Sequence, residues 1–404
     1  MALGRTAFRA RYLFPVTSPP IADGVVTIEA GRIVAIGREP DGCKAIDLGD
    51  VALLPGLVNP HTHLEFSDLA APLGASGMPF PRWVPEVVRW RAGQPAGKPA
   101  VARGLEESAR TGVASVGEIA TPGWSPAAFE GGPPRATIFL EAIGLAHDQV
   151  DQKLSEAREH LRLATEQRQW RPGLSPHAPY TVRPELFERL VDLAAEAKVP
   201  VAFHLAESAE EIELLTTGGG LFREVLSELG FWDPTAIPRG TRPLNYLRCL
   251  AHRGVRALVV HGNYLEGDEI EWLAAHAGRL SVVYCPRTHA FFKHAPHPLR
   301  RLLAAGARVV VGTDSRASNP DLDLWQELRF VARAFPDIPL HAVLRMGTID
   351  AACALGEEQE TGSLEVGKRA DLAVAPLAGA APSDAYRWLF DASHVGPLPW
   401  TPDA

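Results

Sequence analysis

Short apolar runs recur along the chain from Val51 onward, each ending on a polar residue and separated from the next by a helical-period pattern. Val51–Val58 leads into His61-Thr62-His63, and Val199–Phe203 into His204. Ala257–Val260 leads into His261, and Val309–Thr313 into Asp314. Runs that are apolar on both faces read as parallel strands buried on both sides. Strands are predicted near 51–63, 113–119, 135–143, 172–177, 199–204, 256–261, 280–285 and 308–314. Helical patterns fill the gaps, as at Gln152–Gln169, Pro184–Ala197 and Pro298–Ala305. Eight strands joined by crossovers of helical length predict a closed (β/α)8 TIM barrel rather than an open sheet.

The ends of the chain follow another rhythm. Ala7–Phe14, Val25–Glu29, Arg32–Ile36 and Ala45–Leu48 are short β-type runs cut by Asp23-Gly24 and Ala30-Gly31, which predicts a small antiparallel sheet. Gly362–Leu372 returns to β-type residues and is expected to complete it. The predicted architecture is therefore a barrel over 51–360 with a small discontinuous β-sandwich domain built from 1–50 and 361–404. The longest interruption, Asp68–Gly104, carries a Pro/Gly-rich stretch with Met78, Phe80 and Trp83. A disordered insertion has no need of such apolar surface, so a substrate-covering loop is expected there.

Composition narrows the class. The 404 residues are 46% hydrophobic and 22% charged with a net charge of −8, and Lys and Arg are scattered, which excludes a binder driven by phosphate neutralisation. Cys43, Cys249, Cys285 and Cys353 lie far apart without C-x-x-C spacing, as expected of reduced thiols in a cytoplasmic protein. No apolar stretch reaches the length of a membrane span and the N-terminus has no signal-peptide pattern.

The polar residues at the strand ends carry the chemistry. Carboxyl ends of barrel strands are where this fold builds active sites. His61 and His63, two apart on an extended strand, leave the same face. With His204 and Asp314 they make three neutral imidazoles and a carboxylate, a set suited to zinc or ferrous iron. A single strand-end histidine is more often a hydrogen-bonded structural residue; ligand types at successive strand ends favour the metal. Hydrolysis also needs a proton carrier, because the leaving group departs neutral. Glu207, three residues past His204, is placed for it, whereas Glu210 and Glu211 need no explanation beyond acids in the first turn of a helix.

Pro60-His-Thr-His-Leu-Glu65, Ser175-Pro-His-Ala-Pro-Tyr180, His204-Leu-Ala-Glu207, His261-Gly262 and Gly312-Thr-Asp-Ser315 together resemble the metal-dependent amidohydrolase superfamily. Within it they resemble the branch of cytosine deaminase and the S-adenosylhomocysteine and aminodeoxyfutalosine deaminases. The resemblance covers nearly the whole chain and implies one metal held by His61, His63, His204 and Asp314. It also implies a proton shuttle at Glu207 and His261 beside the attacking water. Members with two metals bridge them through a lysine on the fourth strand; Leu174–Tyr180 has no lysine but offers His177, implying one metal and a substrate contact at His177. The other deaminase signature joins H-x-E to P-C-x-x-C, and the chain has no P-C-x-x-C, which excludes that fold.

Other residues stay open between two roles. Glu65 either orients His63 or contacts substrate, or is a plain strand-end carboxylate. Arg287 and His289 either read a polar or anionic part of the substrate or belong to a solvated loop. Trp83 in the covering segment is taken as a substrate contact and Arg82 as an anion contact. Ser315, Ser318 and Asn319 shape the rim or cap the helix beginning near Asp321. The expected activity is hydrolytic deamination of an amino-substituted heterocycle, a purine nucleoside derivative such as aminodeoxyfutalosine. An s-triazine or chloro-heterocycle hydrolase, or a cyclic amidase, is the alternative, and a non-catalytic structural relative the remote one. The partners expected are one divalent ion, zinc ahead of iron, and a small molecule. No nucleic acid or membrane is expected, and a homodimer is compatible.

Overall fold

The computed structural model describes residues 5–37, 44–93, 100–132, 134–163, 170–379 and 384–399. Its strands, in chain order, are β1 (Thr6–Leu13), β2 (Ile21–Glu29), β3 (Arg32–Gly37), β4 (Ile46–Asp47), β5 (Val51–Pro55) and β6 (Leu57–Thr62). After these come β7 (Val113–Ala120), β8 (Arg135–Ala142), β9 (Trp170–Pro176), β10 (Val201–Leu205) and β11 (Ala257–His261). The last are β12 (Leu280–Tyr284), β13 (Arg308–Val311), β14 (Leu372–Pro376) and β15 (Gly396–Pro397).

Strands β6 to β13 form an eight-stranded parallel sheet in sequential order. It curls until its edges meet: Thr62 pairs in parallel with Asp314, and Asp314 N donates to His61 O at 3.1 Å. This is the expected (β/α)8 barrel. Val58, Phe139, Ala202, Leu258, Val260 and Val310 fill its interior, while their strand neighbours pack outward against the helices. Helices lie where the pattern placed them, at Pro184–Ala197 and Leu299–Ala305. The helix expected over Gln152–Gln169 is described as Val150–Leu163, and 164–169 fall outside the described residues.

Strands β1 to β5 with β14 and β15 form the second sheet, in the order β15-β14-β5-β1-β2-β3 with β4 beside β1. Both ends of the chain therefore build one small module. Phe8, Val26, Ile28, Ile33 and Leu53 share its core with Leu364 and Leu372. One correction concerns its edge. The apolar run 51–63 is two strands, since β5 pairs with β1 and β14 in the small sheet and only β6 enters the barrel. The break is at Gly56, where an added Cβ would fall 2.5 Å from the Cβ of Ala114. Strand β5 thus lies in the small sheet, and the barrel sheet begins with β6. Apolar continuity hid this, because both strands are buried on both faces.

The segment Asp68–Gly104 also departs from expectation. It is not a loop throughout: helix Phe80–Ala92 crosses the carboxyl end of the barrel, followed from Ala100 by a second helix. Pro79 before it and Pro81 inside its first turn suit a helix start, where the missing N–H costs nothing. Among the described residues no helix is long and apolar enough to cross a membrane. Cys249, Cys285 and Cys353 are unpaired, and Cys43 lies outside the described residues.

Candidate active site

Barrel closure brings the polar residues of the strand ends to one place. His61 is fully buried in β6, and His63 follows it with 8% exposure. His204 closes on them from β10, with ring centroids 5.0 Å from His61 and 5.4 Å from His63. The imidazoles of His61, His63 and His204 offer ring nitrogens that all lie within 4.8 Å of one another. Asp314 Oδ1 sits 3.7 Å from Nε2 of both His61 and His63. Two nitrogen or oxygen ligands of one tetrahedral ion are about 3.4 Å apart, so the spacing suits a shared cation.

Their hydrogen bonding points the same way. Both nitrogens of His61 and Nδ1 of His63 are buried without a hydrogen-bond partner, a costly state for an imidazole unless another ligand takes the lone pair. His204 Nδ1 donates to His177 O at 2.9 Å, which fixes the tautomer and leaves Nε2 as an acceptor facing the site. Burial, then the charge of His61, lowers the His63 pKa to about 3. Burial likewise takes His204 well below its usual value and His261 to about 3. Neutral imidazole is the form that ligates a metal. For Asp314 burial favours the acid, but the neighbouring imidazoles of His61, 3.7 Å away, and of His261 outweigh it and hold the carboxyl low. The donor set therefore fits a divalent cation.

Glu207 stands beside this cluster, 5% exposed. Tyr180 Oη donates to its Oε2 at 3.1 Å, and His261 Nε2 lies 3.2 Å from its Oε1. Asn263 Nδ2 donates to its carbonyl at 2.9 Å. Burial, and then the negative charges of Asp314 and Glu211, push the Glu207 pKa well up. A carboxyl so raised keeps a proton more readily than a free one, the direction that general acid–base work calls for. Tyr180 went unrecognised as a partner although it ends the Ser175–Tyr180 motif; the signal was its place three residues after His177.

Backbone strain gathers at the same strand ends. Ala206, His261 and Asp314 have φ of 54°, 69° and 60°, left-handed values that non-glycine residues adopt at a cost. The turn at Ala206 is held by Glu211, which is completely buried and accepts from Ala206 N at 2.9 Å and Glu207 N at 2.8 Å. The reading of Glu211 as an ordinary helix-start acid is therefore corrected. Helical position explains half-buried Glu210 but not a carboxylate folded back under the loop.

The cavity over the site is lined by His63, His177, Tyr180, His204, Glu207, His261 and Asp314, and on its outer side by Phe80, Trp83, Arg91 and apolar residues. A larger cavity of about 550 Å³ lies at the other end of the barrel. Its lining holds no histidine or carboxylate, whereas the 140 Å³ cavity holds the reactive groups. Trp83, His177 and Ser315 line this cavity. Glu65 does not line it: its Oε1 accepts from Arg91 Nη2 at 2.7 Å, and Arg91 Nη1 also lies 3.4 Å from Glu141 Oε2. Glu141 Oε1 in turn stands 3.8 Å from His177 Nε2.

Arg287 and His289 do not reach the cavity. Arg287 is enclosed by Asp321 at 2.6 Å and buried Glu327 at 2.5 Å, so its charge is already neutralised. His289 Nε2 donates to Ala295 O at 2.8 Å. Arg82 pairs on the surface with Glu228 at 2.9 Å. Ser318 Oγ donates to Asp314 Oδ2 at 3.2 Å and Asn319 Nδ2 to Thr313 O at 2.8 Å, so both brace the strand-end aspartate. The helix that follows is capped by Asp323 instead.

Comparison with known proteins agrees with this geometry. Residues 52–387 match the model of the Amidohydrolase family. A 5-methylthioadenosine/S-adenosylhomocysteine deaminase of Halobacterium salinarum is 29% identical over 398 residues, 94% of this chain and 83% of the relative. An aminodeoxyfutalosine deaminase of Deinococcus radiodurans is 30% identical over 80% of this chain and 78% of its own length. A crystal structure of an adenosine deaminase from Xanthomonas campestris with bound zinc superposes with a TM-score of 0.78. It is 26% identical and the match covers 96% of this chain and 89% of that one.

Proposed function

The chain belongs to the amidohydrolase family, a family of metal-dependent hydrolases acting on carbon–nitrogen bonds other than peptide bonds. On that premise we propose that it deaminates an amino-purine nucleoside derivative, using water and releasing ammonia. The observation that carries this reading is Glu207, buried between Tyr180 and His261 at the edge of the histidine–aspartate cluster. We assign His61, His63, His204 and Asp314 as ligands of one divalent ion, zinc rather than iron. Such an ion supplies Lewis-acid activation of water at neutral pH.

The protein's own groups then divide the work. Glu207 accepts a proton from the attacking water and delivers it to the ring nitrogen next to the amino-bearing carbon. It then carries the proton of the newly added hydroxyl to the amino group, so that nitrogen departs as neutral ammonia and a carbonyl remains on the ring. Tyr180 and His261 fix the two carboxyl oxygens and keep the proton-carrying edge turned to the substrate. His177, held through Nδ1 by Thr181 Oγ1 at 2.7 Å, lies on the cavity wall where a ring or its substituent would rest. Phe80 and Trp83, stacked with centroids 5.7 Å apart, offer a flat apolar wall for a heterocycle. Ammonia release from purine nucleosides, free bases and pterins tests the proposal, with product chromatography reading dechlorination of s-triazines and ring opening of cyclic amides. Turnover confined to triazines or cyclic amides would refute it while leaving the hydrolase standing.

A further inference from the structure

The barrel closes where its first and last strands meet, and the histidine–aspartate cluster straddles that seam. His61 and His63 stand at the end of β6, and Asp314 in the turn after β13. Among the described residues these two strands share no ladder, only the bridge from Thr62 to Asp314. A side chain supplies what the backbone does not. Asn59, two residues before His61 and completely buried, reaches across the seam to Thr313. Its Nδ2 donates to Thr313 Oγ1 at 2.8 Å, and its Oδ1 accepts from Thr313 N at 3.2 Å. The same Oδ1 accepts from His61 N at 3.4 Å, so one amide touches the chain leading into ligands on both sides. Thr313 O accepts in turn from buried Asn319 Nδ2 at 2.8 Å, which leaves no polar group of Thr313 unheld. A left-handed residue such as Asp314, at φ 60°, keeps its place only where the neighbouring chain over-determines it. Gly312 permits the close approach, since an added Cβ there would fall 3.1 Å from the Cβ of His61. A buried position that only had to be filled would take an apolar side chain, without the cost of burying an amide.

We propose that Asn59 is a positioning residue of the metal centre. By holding Thr313 across the seam it sets the distance from His61 and His63 to Asp314, and with it the affinity and coordination geometry of the bound ion. The inference rests on the ligand assignment above. Asn59 itself offers the ion nothing, because both ends of its amide are engaged at the seam.

Chelator competition against the zinc-loaded full chain, read beside the ligand-field absorption of the cobalt-substituted protein, tests it. Asn59→Ala should weaken zinc binding by about 10–100-fold, as is typical of losing a group that orients a ligand, and should alter the cobalt bands. Thr313→Val keeps the side-chain shape but removes the hydroxyl acceptor, and should weaken zinc in the same direction by less. Thr313→Ser keeps the hydroxyl and should bind zinc as the wild type does. Leu258→Ala, a buried truncation in the barrel interior on β11, controls for stability. It should lower the denaturation midpoint while leaving zinc affinity and cobalt spectrum unchanged. An Asn59→Ala variant with wild-type affinity and wild-type bands overturns the inference. Should that variant fail to fold, Thr313→Val with wild-type zinc affinity overturns it equally. A wild type that binds neither ion overturns the ligand assignment itself, and the inference with it.

Discussion

Replacing Glu211 tests whether the turn beneath Glu207 is held as the geometry indicates. Its two oxygens separately accept the backbone N–H groups of Ala206 and Glu207, at 2.9 and 2.8 Å, in a site closed to solvent. Glu211→Ala orphans both donors, and each buried unsatisfied donor costs about 1–3 kcal/mol, so the expected loss is about 2–6 kcal/mol. That is a large part of the roughly 5–15 kcal/mol that stabilises a typical domain. Glu211→Gln is subtler, since its amide NH2 must face one of the two donors; it should cost about 1–3 kcal/mol. Ala206 sits at φ 54°, so a released turn should relax and carry Glu207 away from Tyr180 and His261. The activity should therefore fall even where the variant stays folded.

Burial adds a pH signature by raising the Glu211 carboxyl from 4.5 to about 7. An acid whose folded pKa is raised binds its proton more tightly in the folded state. Its contribution, on the order of 3 kcal/mol, is complete below pH 4.5 and is lost as pH rises through 7. Chemical denaturation of wild type and Glu211→Gln from pH 4.5 to 8 reads both effects, because the difference between them isolates this one group. Glu210→Ala is the control, half-buried and one residue away. If Glu211→Ala costs no more than Glu210→Ala, and the pH slopes of wild type and Glu211→Gln coincide, the support assigned to Glu211 is refuted.

Glu207→Gln should retain the metal but lower kcat by about 10²–10⁴, the range of a general acid–base group; a loss no larger than that of Glu210→Gln would reduce Glu207 to a structural acid. His61→Ala and Asp314→Ala should each lose both bound metal, by elemental analysis, and activity, and chelation of the wild type should be reversed by zinc. Arg287→Ala should destabilise the fold by about 3–5 kcal/mol, because Glu327 is left as an unpaired buried charge. It should leave the relative KM values for neutral and anionic substrates unchanged, and a selective rise for the anionic one would restore Arg287 to substrate reading.

The succession of barrel strands and the polar residue that ends each run are local properties, and the sequence alone determined them. A strand buried on both faces must be apolar throughout, so the polar residue that ends the run stands out as His61, His204, His261 or Asp314. The two-residue spacing of His61 and His63 places both rings on one face whatever surrounds them. Glu207 was legible for the same reason, being tied to His204 by three residues. Side-chain partnership across the barrel was not. The pairing of Tyr180 with Glu207, the enclosure of Arg287 by Glu327 forty residues later, and the clamp of Glu65 and Glu141 on Arg91 arise only when closure juxtaposes distant segments. Local periodicity carries no record of which charge meets which. Hence the sequence leaves Arg287 looking available for a substrate and Glu211 looking like an exposed helix-start acid. The fold neutralises the first and buries the second, because in a closed interior every charge and every backbone donor must find a partner.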